Sequence, residues 1–145
     1  MTYIRSCVRR VFVSGCFDLL HTGHLEFLEF ARAQGDYLIV SIASDETIRA
    51  LKREPIIGEH DRYLMVRALR CVDECFISRG KNDNDDCLQY VKNFLPDIWV
   101  VNYTDQNLAK KVNLAEQFNI GLVYNNRPEG NWSTTHLIEK IKCSV

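Results

Sequence analysis

The 145-residue sequence lacks the features that mark several functional classes. It has no charge excess: 18 basic against 19 acidic residues give a formal net charge of −1. No global basic field is therefore available to hold nucleic acid, and partners must come from local sites. No apolar run approaches the roughly 20 residues a membrane-spanning helix needs, so no membrane partner is expected. Residues 1–10 are partly basic but meet strand-like Val11-Phe12-Val13 with no signal-peptide core or small-residue cleavage site. The expectation is a cytoplasmic protein.

Paired cysteine knuckles are also missing. Cys7, Cys16, Cys71, Cys75, Cys87 and Cys143 include no Cys-x-x-Cys, and most sit in hydrophobic patterns where cysteine packs as a small apolar residue. Free thiols are expected, and no zinc site, because Cys71 and Cys75 lack the usual ligand spacing. No Gly-x-Gly-x-x-Gly follows the first strand, which argues against a dinucleotide-dependent oxidoreductase. No repeat, low-complexity tract or linker interrupts the chain, so one domain over 1–145 is expected.

What is present is an alternation of short apolar runs with helical periodicity. Strands are predicted at Val11–Gly15, Tyr37–Ile42, Glu74–Ile77, Ile98–Val101 and Ile120–Tyr124. Helices are predicted at Gly23–Ala33, Asp45–Leu51, Glu59–Arg70, Asp85–Phe94, Asp105–Phe118 and from Ser133 through Ile141. Strands without polar alternation, separated by helices, imply an α/β fold: a Rossmann-like, doubly wound, five-stranded parallel sheet with helices on both faces. Ligands bind such sheets beyond the strand carboxyl ends, where strand order reverses.

Two strand-to-helix junctions stand out. In the first, Gly15-Cys16-Phe17-Asp18-Leu19-Leu20-His21-Thr22-Gly23-His24, two histidines straddle a glycine at a helix start. A helix N-terminus offers unpaired N–H groups and partial positive charge, which suits phosphate. Gly23 permits close approach of the backbone, and His21 and His24, three apart, face one way. A lone histidine here is usually a cap or a surface residue; a pair around a glycine at the end of the first strand points to a phosphate site. In the second, Ser133-Thr134-Thr135 precedes apolar Leu137-Ile138, and its plain reading is an N-cap.

The stretch from Val13 to His24 resembles the signature of the HxGH nucleotidyltransferase superfamily, and its Gly-x-Phe-Asp-x-x-His-x-Gly-His form is similar to the cytidylyltransferase branch. The similarity continues through Gly35–Val40, Ser44-Asp45-Glu46, and Arg62 with Arg70-Cys71-Val72-Asp73-Glu74. The resemblance implies direct transfer of a nucleoside monophosphate from a triphosphate to a small phosphate or phosphonate monoester. The acceptor oxygen attacks the α-phosphorus in line, pyrophosphate leaves, and the protein supplies positioning and charge stabilisation. It places Ser14, Gly15, Cys16, Phe17, Asp18 and Gly23 at the nucleotide, with His21 and His24 stabilising charge on the α and β phosphates. Asp18 is expected to hold the loop rather than move a proton.

Residues 127–135 resemble the family's Arg-x-x-Gly-x-Ser-Thr-Thr motif, which implies β- and γ-phosphate contacts from Arg127, Ser133, Thr134 and Thr135. The departure is one extra residue, Asn131-Trp132 where one is usual. Lys52 and Arg53 lie where relatives keep cations near the acceptor phosphate, so Lys52 is expected to be catalytic and substrate-binding, and Arg53 substrate-binding. After the fourth strand, relatives carry glycine-rich segments such as Lys-Gly-Gly-Asp. Here Val101-Asn102-Tyr103-Thr104-Asp105-Gln106-Asn107 replaces them, with Asn102, Tyr103 and Asp105 as candidate acceptor or base contacts and a plain solvent loop as the alternative reading.

Arg127 and Val72-Asp73-Glu74 look like glycerol-3-phosphate cytidylyltransferases, which use CTP. Leu95-Pro96-Asp97-Ile98 and the closing Ser-Thr-Thr-x-Leu-Ile-x-Lys-Ile look like heptose phosphate adenylyltransferases, which use ATP; phosphonate cytidylyltransferases are similar again. CTP is slightly favoured as the expectation. Magnesium is implied, bound mainly through the triphosphate and water. Relatives are commonly dimers, and the Arg62–Asp73 segment resembles their pairing region, so a homodimer is implied by analogy. The rival reading is a non-catalytic nucleotide sensor on the same fold.

Overall fold

Apolar residues that continue through both faces of a strand leave no side for water, and the sheet is built accordingly. The structure, a computed structural model, describes residues 7–79, 83–125 and 132–145, without the side chains of 83–88. Among these, β1 (Arg10–Gly15), β2 (Tyr37–Ile42), β3 (Glu74–Ile77), β4 (Ile98–Asn102) and β5 (Gly121–Asn125) form one parallel sheet in the order β3-β2-β1-β4-β5. The helices are α1 (Thr22–Arg32), α2 (Asp45–Leu51), α3 (Glu59–Arg67), α4 (Asp83–Phe94), α5 (Leu108–Gln117) and α6 (Thr134–Ser144).

Alternate residues of one strand feed two separate cores. Val11, Val13, Leu38, Val40 and Ile42 pack with Leu28 and Ala31 of α1 and Val66 of α3 on one face. Phe12, Ile39, Trp99 and Val101 pack with Tyr90 and Val91 of α4 and Ala115 of α5 on the other. Phe12 stacks on Tyr90 with ring centroids 4.5 Å apart, and Tyr90 stacks on Phe76 at 4.8 Å. The doubly wound Rossmann-like fold is therefore as expected.

Strand order reverses at β1, whose neighbours are β2 and β4. β1 stays registered with β2 to the end, Gly15 opposite Ile42, whereas its register with β4 comprises Val11–Ile98 and Phe12–Trp99. The carboxyl halves of β1 and β4 splay, and a crevice opens there.

Several boundaries differ from expectation. α5 begins at Leu108 rather than Asp105, because the Asp105 carboxylate accepts the Asn107 N–H at 2.8 Å and its carbonyl accepts that of Leu108 at 3.1 Å, making a turn. α3 ends at Arg67, not Arg70. Leu69 N–H turns back to the Val66 carbonyl, and Asp73 then ties the chain to β2 through the Leu38 amide. α4 starts two residues before Asp85, and β5 spans Gly121–Asn125. Among the described residues no helix is long and apolar enough to cross a membrane. Cys7, Cys16, Cys71, Cys75 and Cys143 form no disulfide among the described residues; Cys87 lies outside the described side chains.

Candidate active site

Beyond β1 the chain enters a tight loop in which Phe17 and Leu19 both adopt φ 52°, a left-handed conformation that costs a non-glycine residue about 1–2 kcal/mol. The surroundings hold it there. Asp18, 1% exposed, sits between them, and its carboxylate accepts from Arg53 Nη1 at 2.7 Å and from the Ile56 and Ile57 amides at 2.9 Å each. Burial pushes the Asp18 acid up, but these amides and the Arg53 guanidinium outweigh it and hold the group below its ordinary value. Its main-chain carbonyl accepts from Thr134 Oγ1 at 2.9 Å. One residue thus ties together the first loop, the segment after α2 and the start of α6.

Arg62, 1% exposed, completes the scaffold. It donates to the carbonyls of Ile57 (2.9 Å), Cys16 (2.7 Å) and Ala43 (2.8 Å) and pairs with Asp45 at 2.8 Å. This guanidinium faces the core beneath the loop, so within the Arg62–Asp73 segment its side chain is not presented to a partner.

The histidines cap α1. His21 is the N-cap: its Nδ1 accepts the Gly23 N–H at 3.0 Å, while the His21 N–H donates to His24 Nδ1 at 3.3 Å. This reciprocal capping box uses imidazoles in place of the usual hydroxyl and carboxamide. Because both Nδ1 atoms accept, the ring protons of the neutral forms are assigned to Nε2. The rings stack 3.8 Å apart. Burial lowers the His21 pKa. Burial, then His21 and Lys52, push His24 down to about 3 against an opposing pull from Asp18. Both rings are therefore neutral donors, and His21 Nε2 is buried with no hydrogen-bond partner among the described residues. A Cβ on Gly23 would lie 2.8 Å from the His21 ring and 3.0 Å from the Trp132 carbonyl, so only glycine lets loop, helix and α6 entry meet.

α6 begins alongside. Ser133 is its N-cap, its hydroxyl oxygen accepting the His136 N–H at 3.1 Å. A cavity of about 710 Å³ spans both helix starts and the splayed strand ends. It is lined by Ser14, Gly15, Cys16, Phe17, Asp18, His21, Gly23, His24, Lys52, Arg53, Asn102, Tyr103, Ser133, Thr134 and Thr135, so these sequence-predicted residues come together. Arg127 and Asn131 lie outside the described residues.

The individual roles are unequal. Lys52, the C-cap of α2, is exposed, whereas Arg53 is committed to Asp18. Thr134 gives its hydroxyl hydrogen to the Asp18 carbonyl. On the far side, Asn102 Oδ1 accepts from Asn125 Nδ2 at 3.0 Å, and Tyr103, 59% exposed, stacks on Tyr124 at 4.7 Å. Among the wall residues that sequence reasoning missed are Lys111, Asn125 and Trp132. Asn125 was findable, since it ends β5 directly opposite Asn102, at the carboxyl edge where ligands bind. Lys111 carried no motif.

Comparison with known proteins gives the family and agrees with the fold. The family described as cytidylyltransferase-like matches residues 12–140. The bifunctional protein HldE of Geotalea uraniireducens is 38% identical over 138 residues, covering 92% of this chain and 27% of the relative. The HldE protein of Helicobacter pylori is 36% identical over 141 residues, covering 91% and 27%. This chain thus spans about a quarter of the length of these curated relatives. The crystal structure of a lipopolysaccharide core biosynthesis protein from Thermoplasma volcanium superposes with a TM-score of 0.73 at 27% identity, covering 83% of this chain and 98% of that one. A pantoate-beta-alanine ligase from Francisella tularensis shares the fold alone, with a TM-score of 0.63 at 15% identity over 97% of this chain and 71% of that one.

Proposed function

Because the chain belongs to the cytidylyltransferase-like family, we propose that it transfers a nucleoside monophosphate from CTP or ATP to a small phosphate or phosphonate monoester. An oxygen of the acceptor phosphate forms a bond to the α-phosphorus as the bond to the β-phosphate bridging oxygen breaks, and pyrophosphate leaves with that electron pair. The acceptor oxygen is already ionised, so no general base is needed. The protein's work is orientation and charge stabilisation.

The observation that carries this reading is the convergence of two helix starts and two Nε2–H imidazoles on one cavity. In it, His21 and His24 donate to the oxygens that gain charge on the α and β phosphates. Neutral donors suit this role, since they stabilise developing charge while the buried site holds no fixed imidazolium. Lys52 supplies the cation between acceptor and triphosphate. Ser133, Thr135 and the first-turn amides of α6 hold the terminal phosphates, and Arg127 joins them by resemblance. Arg53 acts through Asp18, as a positioning residue.

Magnesium fits this site as an ion carried by its substrate. No cluster of three metal-binding side chains occurs among the described residues, and the Asp18 carboxylate is taken by three donors. The ion, when bound to triphosphate oxygens and water, neutralises phosphate charge.

A second reading narrows the first to AMP transfer from ATP onto a heptose-type sugar phosphate. It is favoured by the neighbour named for lipopolysaccharide core biosynthesis and by the resemblance of Leu95–Ile98 and the closing helix to heptose phosphate adenylyltransferases. A cytoplasmic location and a homodimer complete the proposal. The test is pyrophosphate release from ATP and from CTP with magnesium, against a panel of glycerol, sugar and phosphonate monoesters. Release with one triphosphate and one acceptor class is expected. Tight nucleotide binding without release from any pair would instead identify a nucleotide sensor.

A further inference from the structure

Resting on that reading, the cavity has two flanks of different chemistry on either side of β1. The flank beyond β2 carries Lys52 and Arg53 and suits a second anion. The flank beyond β4 carries the Asn102–Asn125 amide pair, the Tyr103–Tyr124 stack and an internally neutralised ion pair, and suits the uncharged nucleoside.

That ion pair is unusual. Lys111 is only 4% exposed, its ammonium lies 2.5 Å from Asp105 Oδ2, and it sits 6.0 Å from the Trp99 ring centroid. Asp105 Oδ1 accepts the Asn107 N–H, its carbonyl accepts that of Leu108, and its own N–H returns to the Asn102 carbonyl at 3.1 Å. The segment has no glycine, so this carboxylate fixes a turn that local sequence would leave free. The ammonium anchors it to the first turn of α5.

We propose that the Lys111–Asp105 pair is a strut that holds residues 103–107 as a fixed wall of the nucleoside half of the cavity. Both are positioning residues for the triphosphate, remote from the transferred phosphorus. Losing either partner leaves a charge uncompensated in the wall; losing both removes the charges but also the strut.

The test uses the full chain and four variants: Asp105→Asn, Lys111→Met, the double variant, and the conservative Lys111→Arg. Pyrophosphate release gives kcat and both KM values. Calorimetry gives Kd for ATP and CTP without acceptor, and circular dichroism with melting checks folding. The expected result for the double variant is a folded protein whose triphosphate KM and Kd rise about tenfold with acceptor KM and kcat within about twofold, an effect smaller than the sum of the singles. Lys111→Arg should recover most of the affinity. A folded double variant with wild-type triphosphate Kd overturns the strut, as does an equal rise in acceptor KM. If the wild type binds nucleotide but releases no pyrophosphate, the transferase reading fails while the Kd comparison still decides the strut. A wild type that binds neither triphosphate overturns both.

Discussion

On the proposed reading His24 is structural and chemical at once: its Nδ1 closes the capping box, which leaves Nε2 as the donor to phosphate. His24→Ala should lower kcat by about 10²–10³-fold, the usual cost of one transition-state donor, with substrate KM values changing much less. The same residue has a signature in stability. Its folded pKa, about 3, lies below the value of an unfolded histidine, so the unfolded chain binds the extra proton between pH 6.5 and 3. Its contribution is complete above pH 6.5 and is lost as the pH falls through that window. Denaturant titrations from pH 7 to 4 should show wild-type stability falling more steeply than that of His24→Gln; parallel curves would mean the imidazole is not held neutral. Asp18, also depressed, loses its contribution only at lower pH, as it protonates below its ordinary value of 3.8. Gly23→Ala needs no titration to be informative: with 2.8 Å to the His21 ring and 3.0 Å to a carbonyl, it should cost about 1–3 kcal/mol in denaturant unfolding and disturb turnover as well. An active variant of wild-type stability would show that α1 and α6 can separate freely.

At the scale of elements, Asp18 is the joint between three of them, and Asp18→Asn should separate folding from chemistry. The amide keeps one acceptor but loses the charge that Arg53 and two backbone N–H groups share, so a loss of about 1–3 kcal/mol in unfolding free energy is expected. The acceptor KM should rise more than the triphosphate KM, because the freed segment follows Lys52. An unchanged acceptor KM would mean that Lys52 is placed by α2 alone. Elements whose limits follow from apolar continuity or a local cap were legible beforehand: β2, β3 and α2 begin and end where hydrophobic pattern and Ser44 predict. Limits set by a distant or competing side chain were not. The start of α5 depends on Asp105 turning to Asn107 and Lys111, and the end of α3 on the turn before Asp73 closes onto Leu38. The site divides in the same way. The His21–Gly23–His24 junction is written in contiguous residues, whereas Asn125 and Lys111 reach the cavity only through strand order and α5 orientation.

For the whole molecule, the two cores hold the sheet on either face and the cavity lies beyond the carboxyl ends of β1 and β4. Among the described residues no disulfide joins two cysteines and no group of three metal-binding side chains occurs. Thiol reductant and chelator should each leave the melting temperature of the ligand-free protein unchanged. On the proposed reading, a magnesium triphosphate would join α1, α6 and the β4 flank. At a concentration of 100 Kd it should add about 2.7 kcal/mol to the folded state. Differential scanning fluorimetry with ATP or CTP should therefore show a clear upward shift that chelator removes. That pattern follows only if the ion enters with the nucleotide. A shift on adding magnesium alone would place a metal site in the protein itself, and a nucleotide shift insensitive to chelator would mean that side chains, with Lys52 foremost, neutralise the phosphates unaided.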